Sequence, residues 1–252
     1  MPIARKFQCC IGSQELEMSY WIRDGDGEWV IFIHGLGCSK DSFLPAFENN
    51  YFAQRYSLIA IDLLGHGDSS KPRDFSYTLE QQVEVLGGFL RDIQPGVVNI
   101  VAHSMGGAVA LLLMEQMTNV NNFFCLEGNL VSEDCKISLR VAALDERKFV
   151  DKIHPIAPLQ FRCMGLASEP AASPQAFYRS AKSLVKLSTS GCLLKLYKET
   201  NTTNTYIYGE RNNQIPVLNE LQGLERKEIP DSGHFMMLEN PHETYREITR
   251  RL

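Results

Sequence analysis

A serine hydroxyl attacks a carbonyl only where the chain holds it clear of the fold and a base stands ready to take its proton. Ser104 meets the first condition by its neighbours. It lies between a short β-branched apolar run, Val97 to Val101, and an Ala/Leu-rich run, Ala108 to Leu113. The pattern predicts a strand, a sharp turn and a helix, with the serine at the turn. Ala102 two residues before and Gly106 two residues after supply the small side chains a strained turn of this kind needs, Ala102 replacing the commoner glycine. Such a turn, a nucleophile elbow, sets the serine backbone at the positive end of a helix dipole. The local pattern also fits a tight turn around a buried polar serine, so the rest of the chain has to supply the partners.

The elements that must position these partners can be read in order. Phe7 to Ile11 and Leu16 to Trp21 read as two strands joined around Gly12-Ser13, followed by a Gly/Asp-rich turn at Asp24 to Gly27. Trp29 to Ile33 and Tyr56 to Asp62 are continuous apolar runs, suited to parallel strands buried on both faces. Ser42 to Phe52 is expected to be helical, with an interruption at Pro45, and Thr78 to Ile93 reads as an amphipathic helix burying Leu79, Val83, Leu86 and Leu90. The helix after Ser104 is expected to reach Thr118, and Asn122 to Glu127 is the next strand. From Val131 to Leu196 the strand signal disappears, and helical periodicity is broken by Pro155, Pro158, Pro170 and Pro174. Strands resume at Thr205 to Gly209 and Glu225 to Ile229, and a helix closes the chain from Asn240 to Leu252. Alternating strands and helices predict an α/β fold, a doubly wound and mostly parallel sheet with helices on both faces. Residues 1–130 and 197–252 form the expected core domain, and 131–196 a helical cap insertion.

With 252 residues the chain is long enough for one large α/β domain. A net charge of −5 gives no electrostatic footprint for nucleic acid and no strong pull toward an anionic membrane. No apolar run is long enough to span a bilayer, and Met1 to Phe7 lacks the apolar core of a signal peptide, so a cytoplasmic protein is expected. The seven cysteines include no Cys-x-x-Cys pair, which removes zinc and redox motifs and leaves buried free thiols as the expectation. The sequon Asn201-Thr202-Thr203 matters only in a secreted chain.

Four ordered signals give the chain a resemblance to the α/β-hydrolase family over nearly its whole length. They are His34-Gly35-Leu36-Gly37 after one strand, Asp62 to Ser69 (DLLGHGDS) after the next, the elbow at Ser104, and Ser232-Gly233-His234-Phe235 near the end. The resemblance implies a nucleophile, acid, histidine order along the chain. Of the six histidines it implies His234 as the base. His103 is expected to point to the other side of the turn, His34 and His66 to organise Gly-rich loops, and His154 and His242 to sit on solvated faces. The resemblance offers two places for the acid. The usual one is the loop Tyr208 to Asn213, where many similar proteins have Gly-x-x-Asp and this chain has Asn212. A neutral amide orients an imidazole but does not stabilise an imidazolium as a carboxylate does. The other place is the end of the strand after the elbow helix, as in some haloalkane dehalogenases, and there the chain has Glu127. The acid is therefore assigned to Glu127, with Glu210 as the fallback.

The same resemblance implies an oxyanion hole from the backbone N–H groups of Met105 and Leu36. Asp62 and Gly65 are read as shaping a loop. The expected activity is that of a serine hydrolase, a carboxylesterase in the first instance, acting on a small-molecule ester or acyl substrate without metal or organic cofactor. C–C bond hydrolases, thioesterases, lactonases and acyltransferases share the same side chains, and a hydrolase-like ligand-binding protein with little turnover is the rival of another class. In the insertion, Leu139, Val141, Ile153, Ile156, Leu159, Phe161, Met164, Phe177 and Leu184 are expected mostly to pack it onto the sheet, some lining a pocket.

Overall fold

The computed structural model describes residues 2–12, 14–52, 55–154 and 171–252. Ser13, Cys163 and, in the insertion, Pro155, Ile156, Pro158, Leu159, Phe161, Met164 and Pro170 lie outside them. The strands are β1 (Ile3–Ile11), β2 (Gln14–Arg23), β3 (Trp29–Ile33), β4 (Ser57–Ile61), β5 (Val98–His103), β6 (Val120–Leu126), β7 (Thr203–Gly209) and β8 (Arg226–Ile229). They form one 8-stranded sheet in the order β1-β2-β4-β3-β5-β6-β7-β8. The β1–β2 and β2–β4 pairs are antiparallel, and every pair from β4 through β8 is parallel. Apolar periodicity explains the order of burial. Every residue of β4 and β5 is buried, Ser57, Asn99 and His103 among the apolar side chains, while β1 at the sheet edge is mostly exposed.

Helices cover both faces. On one side α2 (Leu79–Ile93) and α3 (Met105–Met114) pack Val83, Leu86, Phe89 and Val109 against Ile31, Ile59 and Ile100. On the other, α1 (Leu44–Glu48) and the last helix, Pro241–Thr249, bring Phe47 and Tyr245 against Phe32, Leu58 and Val101. Between β6 and β7 the described residues contain helices and no strand, the longest being α4 (Pro174–Thr189) and α5 (Cys192–Glu199). Among the described residues no helix is long and apolar enough to cross a membrane.

Three helices are shorter than the sequence suggests, the closing one ending at Thr249 rather than Leu252. Ser42 to Phe52 yields a 3-10 turn (Lys40–Phe43) and then α1, which starts with Pro45 in its first turn and stops at Glu48. Proline is tolerated there because the first N–H groups of a helix have no internal partner. The elbow helix ends at Met114, not Thr118, because the chain must turn back to hydrogen-bond Val98 N–H to Asn119 O at 2.9 Å.

The loop after β4 is organised around buried Asp62. Its carboxylate accepts from Lys40 N at 2.7 Å, Lys40 Nζ at 2.7 Å and Asp68 N at 2.9 Å, and the Lys40 ammonium also reaches Asp68 at 2.7 Å. The Lys40 side chain is only 3% exposed and that of Asp62 0%. Removing one member of a buried ion pair leaves the other charged and unpaired. Lys40→Met is therefore expected to lower unfolding free energy by about 3–5 kcal/mol, measured by urea denaturation. A loss below about 1 kcal/mol would be that of a surface pair and would contradict the buried-charge account.

Candidate active site

Four loops meet at the carboxyl ends of the central parallel strands. The first follows β5. Ser104 has φ 52° and ψ −121°, a conformation that costs a non-glycine residue about 1–3 kcal/mol and persists only where its surroundings impose it. Here they do so from both sides. Ser104 N–H donates to Leu126 O on β6 at 2.9 Å, and Gly107 N–H donates to Ser104 O at 2.9 Å. Gly106 has no room for a side chain, since a Cβ there would lie 2.3 Å from Ile33 O. The serine is 9% exposed, and its hydroxyl donates to Asn129 Oδ1 at 3.0 Å.

The second loop follows β6, where Glu127 also takes a positive φ of 43°. That turn aims a nearly buried carboxylate along the sheet edge. Glu127 Oε2 lies 2.7 Å from His234 Nδ1. Glu127 Oε1 accepts from Gly209 N at 2.9 Å, and Asn212 Nδ2 reaches the two oxygens at 3.1 and 2.9 Å. Asn212, at the usual place for the acid, thus holds the carboxylate rather than the imidazole. Glu210 is exposed and accepts from Asp231 N at 2.9 Å, clipping the loop that leads to the histidine.

The third loop carries His234 after β8. Gly209 has to be glycine here because a Cβ would lie 2.4 Å from Gly233 O. A residue the sequence did not flag fixes this loop: Glu239 accepts from Gly233 N and from Phe235 N, each at 3.1 Å, on either side of the histidine. Arg211 ties the same carboxylate down at 2.6 Å and reaches Asp231 O at 2.8 Å. No motif marks Glu239, whose role is visible only in the folded loop.

His103 departs from its expected placement. Its ring centroid lies 4.5 Å from that of His234, and its Nε2 sits 2.8 Å from His234 O. A carbonyl only accepts, so Nε2 carries the proton. Burial lowers the pKa of His103 well below its ordinary value, and the neutral ring braces the His234 backbone. Ser104 and His234 therefore lie at the same edge, although no hydrogen bond joins their side chains among the described residues.

The fourth loop follows β3. His34 donates from Nδ1 to Gly35 O at 2.8 Å and accepts Leu63 N–H at Nε2 at 3.1 Å. Burial holds it neutral, with a pKa lowered to about 4. His66 is likewise buried and lowered to about 3. Both shape backbone, as the glycine-rich loops suggest. Among the described residues neither Leu36 N–H nor Met105 N–H donates to a protein acceptor. A free N–H beside a buried serine is rare in folded proteins and suits the binding of an oxyanion. His242 is exposed as expected, whereas His154 is half-buried and packs against Phe149 and Phe177. Cys125 and Cys135 are buried free thiols, but Cys10 is exposed.

Asp134, also missed in the sequence, lies near Glu127. Burial pushes its pKa up to about 6, assisted by the charges of Glu127 and Glu133 and opposed by Val217 N–H and Lys136. Between its ordinary pKa of 3.8 and about 6 the folded chain keeps a proton that the unfolded chain has lost, so stability falls as pH rises through this window. Asp134→Asn removes this dependence. Its melting temperature relative to the parent is expected to rise from pH 4 to about pH 6.5 and then level off; a difference independent of pH would contradict the burial account.

Comparison with known proteins gives a match to the model of the "Alpha/beta hydrolase family" over residues 30–247. The Arabidopsis thaliana protein described as "Probable lysophospholipase BODYGUARD 4" is 39% identical over 94 residues, covering 37% of this chain and 22% of that protein. The 2-hydroxy-6-oxo-6-(2'-aminophenyl)hexa-2,4-dienoic acid hydrolase of Metapseudomonas resinovorans is 34% identical over 116 residues, 43% of this chain and 38% of its own length. Each match thus spans well under half of the relative. Among solved structures, the Cif epoxide hydrolase of Acinetobacter nosocomialis superposes with a TM-score of 0.79 at 16% identity, covering 99% of this chain and 89% of that one. An N-acyl homoserine lactonase gives 0.77 at 16% identity, with coverage of 100% and 96%. These structures share the fold.

Proposed function

Because the chain belongs to the alpha/beta hydrolase family, we propose that it cleaves a carboxylic ester, or a related acyl bond, of a small molecule through an acyl-enzyme on Ser104. The observation that carries this reading is the 2.7 Å contact between Glu127 Oε2 and His234 Nδ1 at the sheet edge where the strained Ser104 stands. A carboxylate at Nδ1 keeps the proton on that nitrogen and leaves Nε2 bare as a base.

In the proposed cycle Ser104 Oγ bonds to the carbonyl carbon as its proton passes to His234 Nε2. The carbonyl π electrons move onto oxygen, where the N–H groups of Leu36 and Met105 receive the charge. Collapse re-forms the carbonyl and breaks the bond to the alkoxy group, which leaves with the proton from His234. Water then repeats the sequence on the acyl-enzyme, its proton passing through His234 to Ser104. Glu127 stabilises the imidazolium in both halves. The helices of residues 131–196 act in this reading as a cap. In support, Val141, Phe149, Phe177 and Tyr178 form an apolar cluster on which Leu36 packs. Leu184 is buried too, Ile153 half-buried and Leu139 exposed.

A second reading, hydrolysis of a C–C bond next to a carbonyl, is favoured by the similarity to the Metapseudomonas resinovorans hydrolase. Both share the acyl-enzyme logic and differ in leaving group. The test is a fluorophosphonate probe read by intact mass, together with p-nitrophenyl esters of graded chain length and a vinylogous 1,5-diketone. One adduct, on Ser104, with ester turnover supports the first reading; an adduct with turnover of the diketone alone supports the second. The absence of any adduct leaves a ligand-binding protein and overturns both.

A further inference from the structure

The nucleophile's proton is not directed at its base. Ser104 Oγ lies 3.0 Å from Asn129 Oδ1, and Asn129 is itself only 7% exposed. The orientation of that amide is fixed by its other end, where Nδ2 lies 3.2 Å from the Asp134 carbonyl oxygen. A carbonyl needs a donor, so the NH₂ group faces Asp134 and the amide oxygen faces Ser104. The amide oxygen only accepts, so the hydroxyl must donate to it. The amide is also held through its backbone. Asn129 O accepts from Ser188 Oγ at 2.8 Å, and Ser188 accepts from Cys135 Sγ at 3.3 Å. Gly128 O, one residue earlier, accepts from Tyr206 Oη at 3.1 Å. A side chain that merely filled space would not require this bracing.

We propose that Asn129 is a positioning residue for the nucleophile. Its amide oxygen holds the Ser104 hydroxyl in the free protein, and the O–H must swing from Asn129 to His234 Nε2 before attack. This rests on Ser104 being the nucleophile and adds a step that the triad geometry does not contain. The segment Glu127-Gly128-Asn129 then acts on both partners at once, its first residue orienting the base and its third restraining the hydroxyl. The hold exists in the ground state and is lost in the transition state, so it slows attack. Its removal is expected to speed the first covalent step.

The experiment measures the second-order rate constant for fluorophosphonate modification of Ser104, with the burst amplitude giving the folded fraction so that misfolding does not enter the rate. Asn129→Ala is expected to react about two- to tenfold faster than the parent, the worth of one neutral hydrogen bond. Asn129→Asp, a stronger and charged acceptor for the same hydroxyl, is expected to react at least about tenfold more slowly at neutral pH. Opposite signs in the two variants support the proposal, because a packing defect slows both. Rates within twofold of the parent, or slowing by the Ala variant, overturn it. If the Ala variant gives no burst, the Asp variant decides, an unchanged or faster rate counting against. If neither folds, a crystal structure of the unsubstituted protein decides. Oγ within hydrogen-bond reach of Asn129 Oδ1 supports the hold, and Oγ on His234 Nε2 ends it. A parent protein that takes no probe overturns the serine-hydrolase reading itself, whereas a labelled parent with indifferent variants overturns the hold alone.

Discussion

If the chain is the serine hydrolase proposed above, Glu127→Gln is expected to lower kcat for ester hydrolysis by about 10⁴-fold while leaving KM nearly unchanged, because it reverses the histidine tautomer. The direction follows from the donors around this side chain. Gly209 N–H donates to Oε1 alone, whereas Asn212 Nδ2 reaches both oxygens. A glutamine at 127 must therefore keep its oxygen on that side and turn its NH₂ group toward His234 Nδ1. The ring then accepts at Nδ1 and carries its proton on Nε2, where it has no lone pair for the serine proton. The paired test moves the charge to the neighbouring loop. Asn212 Nδ2 is 2.9 Å from the oxygen of Glu127 that holds the histidine, so Asn212→Asp brings a carboxylate close to the ring. In the Glu127→Gln background this second change is expected to restore activity by at least about tenfold, since the imidazolium regains a negative neighbour. In the parent the same Asn212→Asp lowers activity, because two carboxylates at this separation cannot both ionise freely. Steady-state kinetics on the four proteins checks both statements. A Glu127→Gln variant whose kcat stays within about tenfold of the parent would rule out Glu127 as the partner of the ring.

On the same reading Ser104→Ala and Ser104→Gly are both expected to abolish the covalent route and reduce kcat by about 10⁶-fold, but to differ in stability. Alanine keeps the cost of φ 52°, ψ −121° and gives up the hydrogen bond to Asn129. Glycine gives up the same bond and relieves the backbone strain. Ser104→Gly is therefore expected to be more stable than Ser104→Ala by about 1–2 kcal/mol, and thermal melting measures the difference. Equal melting temperatures would mean that the elbow stores no strain. Ester turnover at more than about a thousandth of the parent rate in either variant would remove Ser104 from the chemistry.

The central sheet was legible because apolar, β-branched stretches mark its inner strands, and Trp29–Ile33 was read with its observed ends. Helix ends were read less well. Glu115 to Thr118 has no breaker, and only the return of the chain to Val98 stops α3 at Met114. At the site, Ser104, His234 and Glu127 could be named because each sits in a motif resembling one of the α/β-hydrolase family, placed after a strand. The structure brings Glu127 to His234 and leaves Glu210 on the loop clip. The groups that hold these side chains left less trace. Glu239 and Arg211 act on backbone N–H and C=O groups, which no side-chain pattern records. His103 was misplaced because alternation along a strand predicts the opposite face, whereas the strained turn beside it leaves its ring against His234.

His234, the base of the proposed mechanism, follows the last parallel strand of the sheet, 107 residues after Glu127 in the chain. In that mechanism a polypeptide still on the ribosome and halted between Glu127 and β8 carries its serine and its carboxylate, yet it has nothing to draw the proton away. On the proposed mechanism, synthesis order keeps the nascent chain inert toward the acyl compounds around it until the last strand of the sheet has been made.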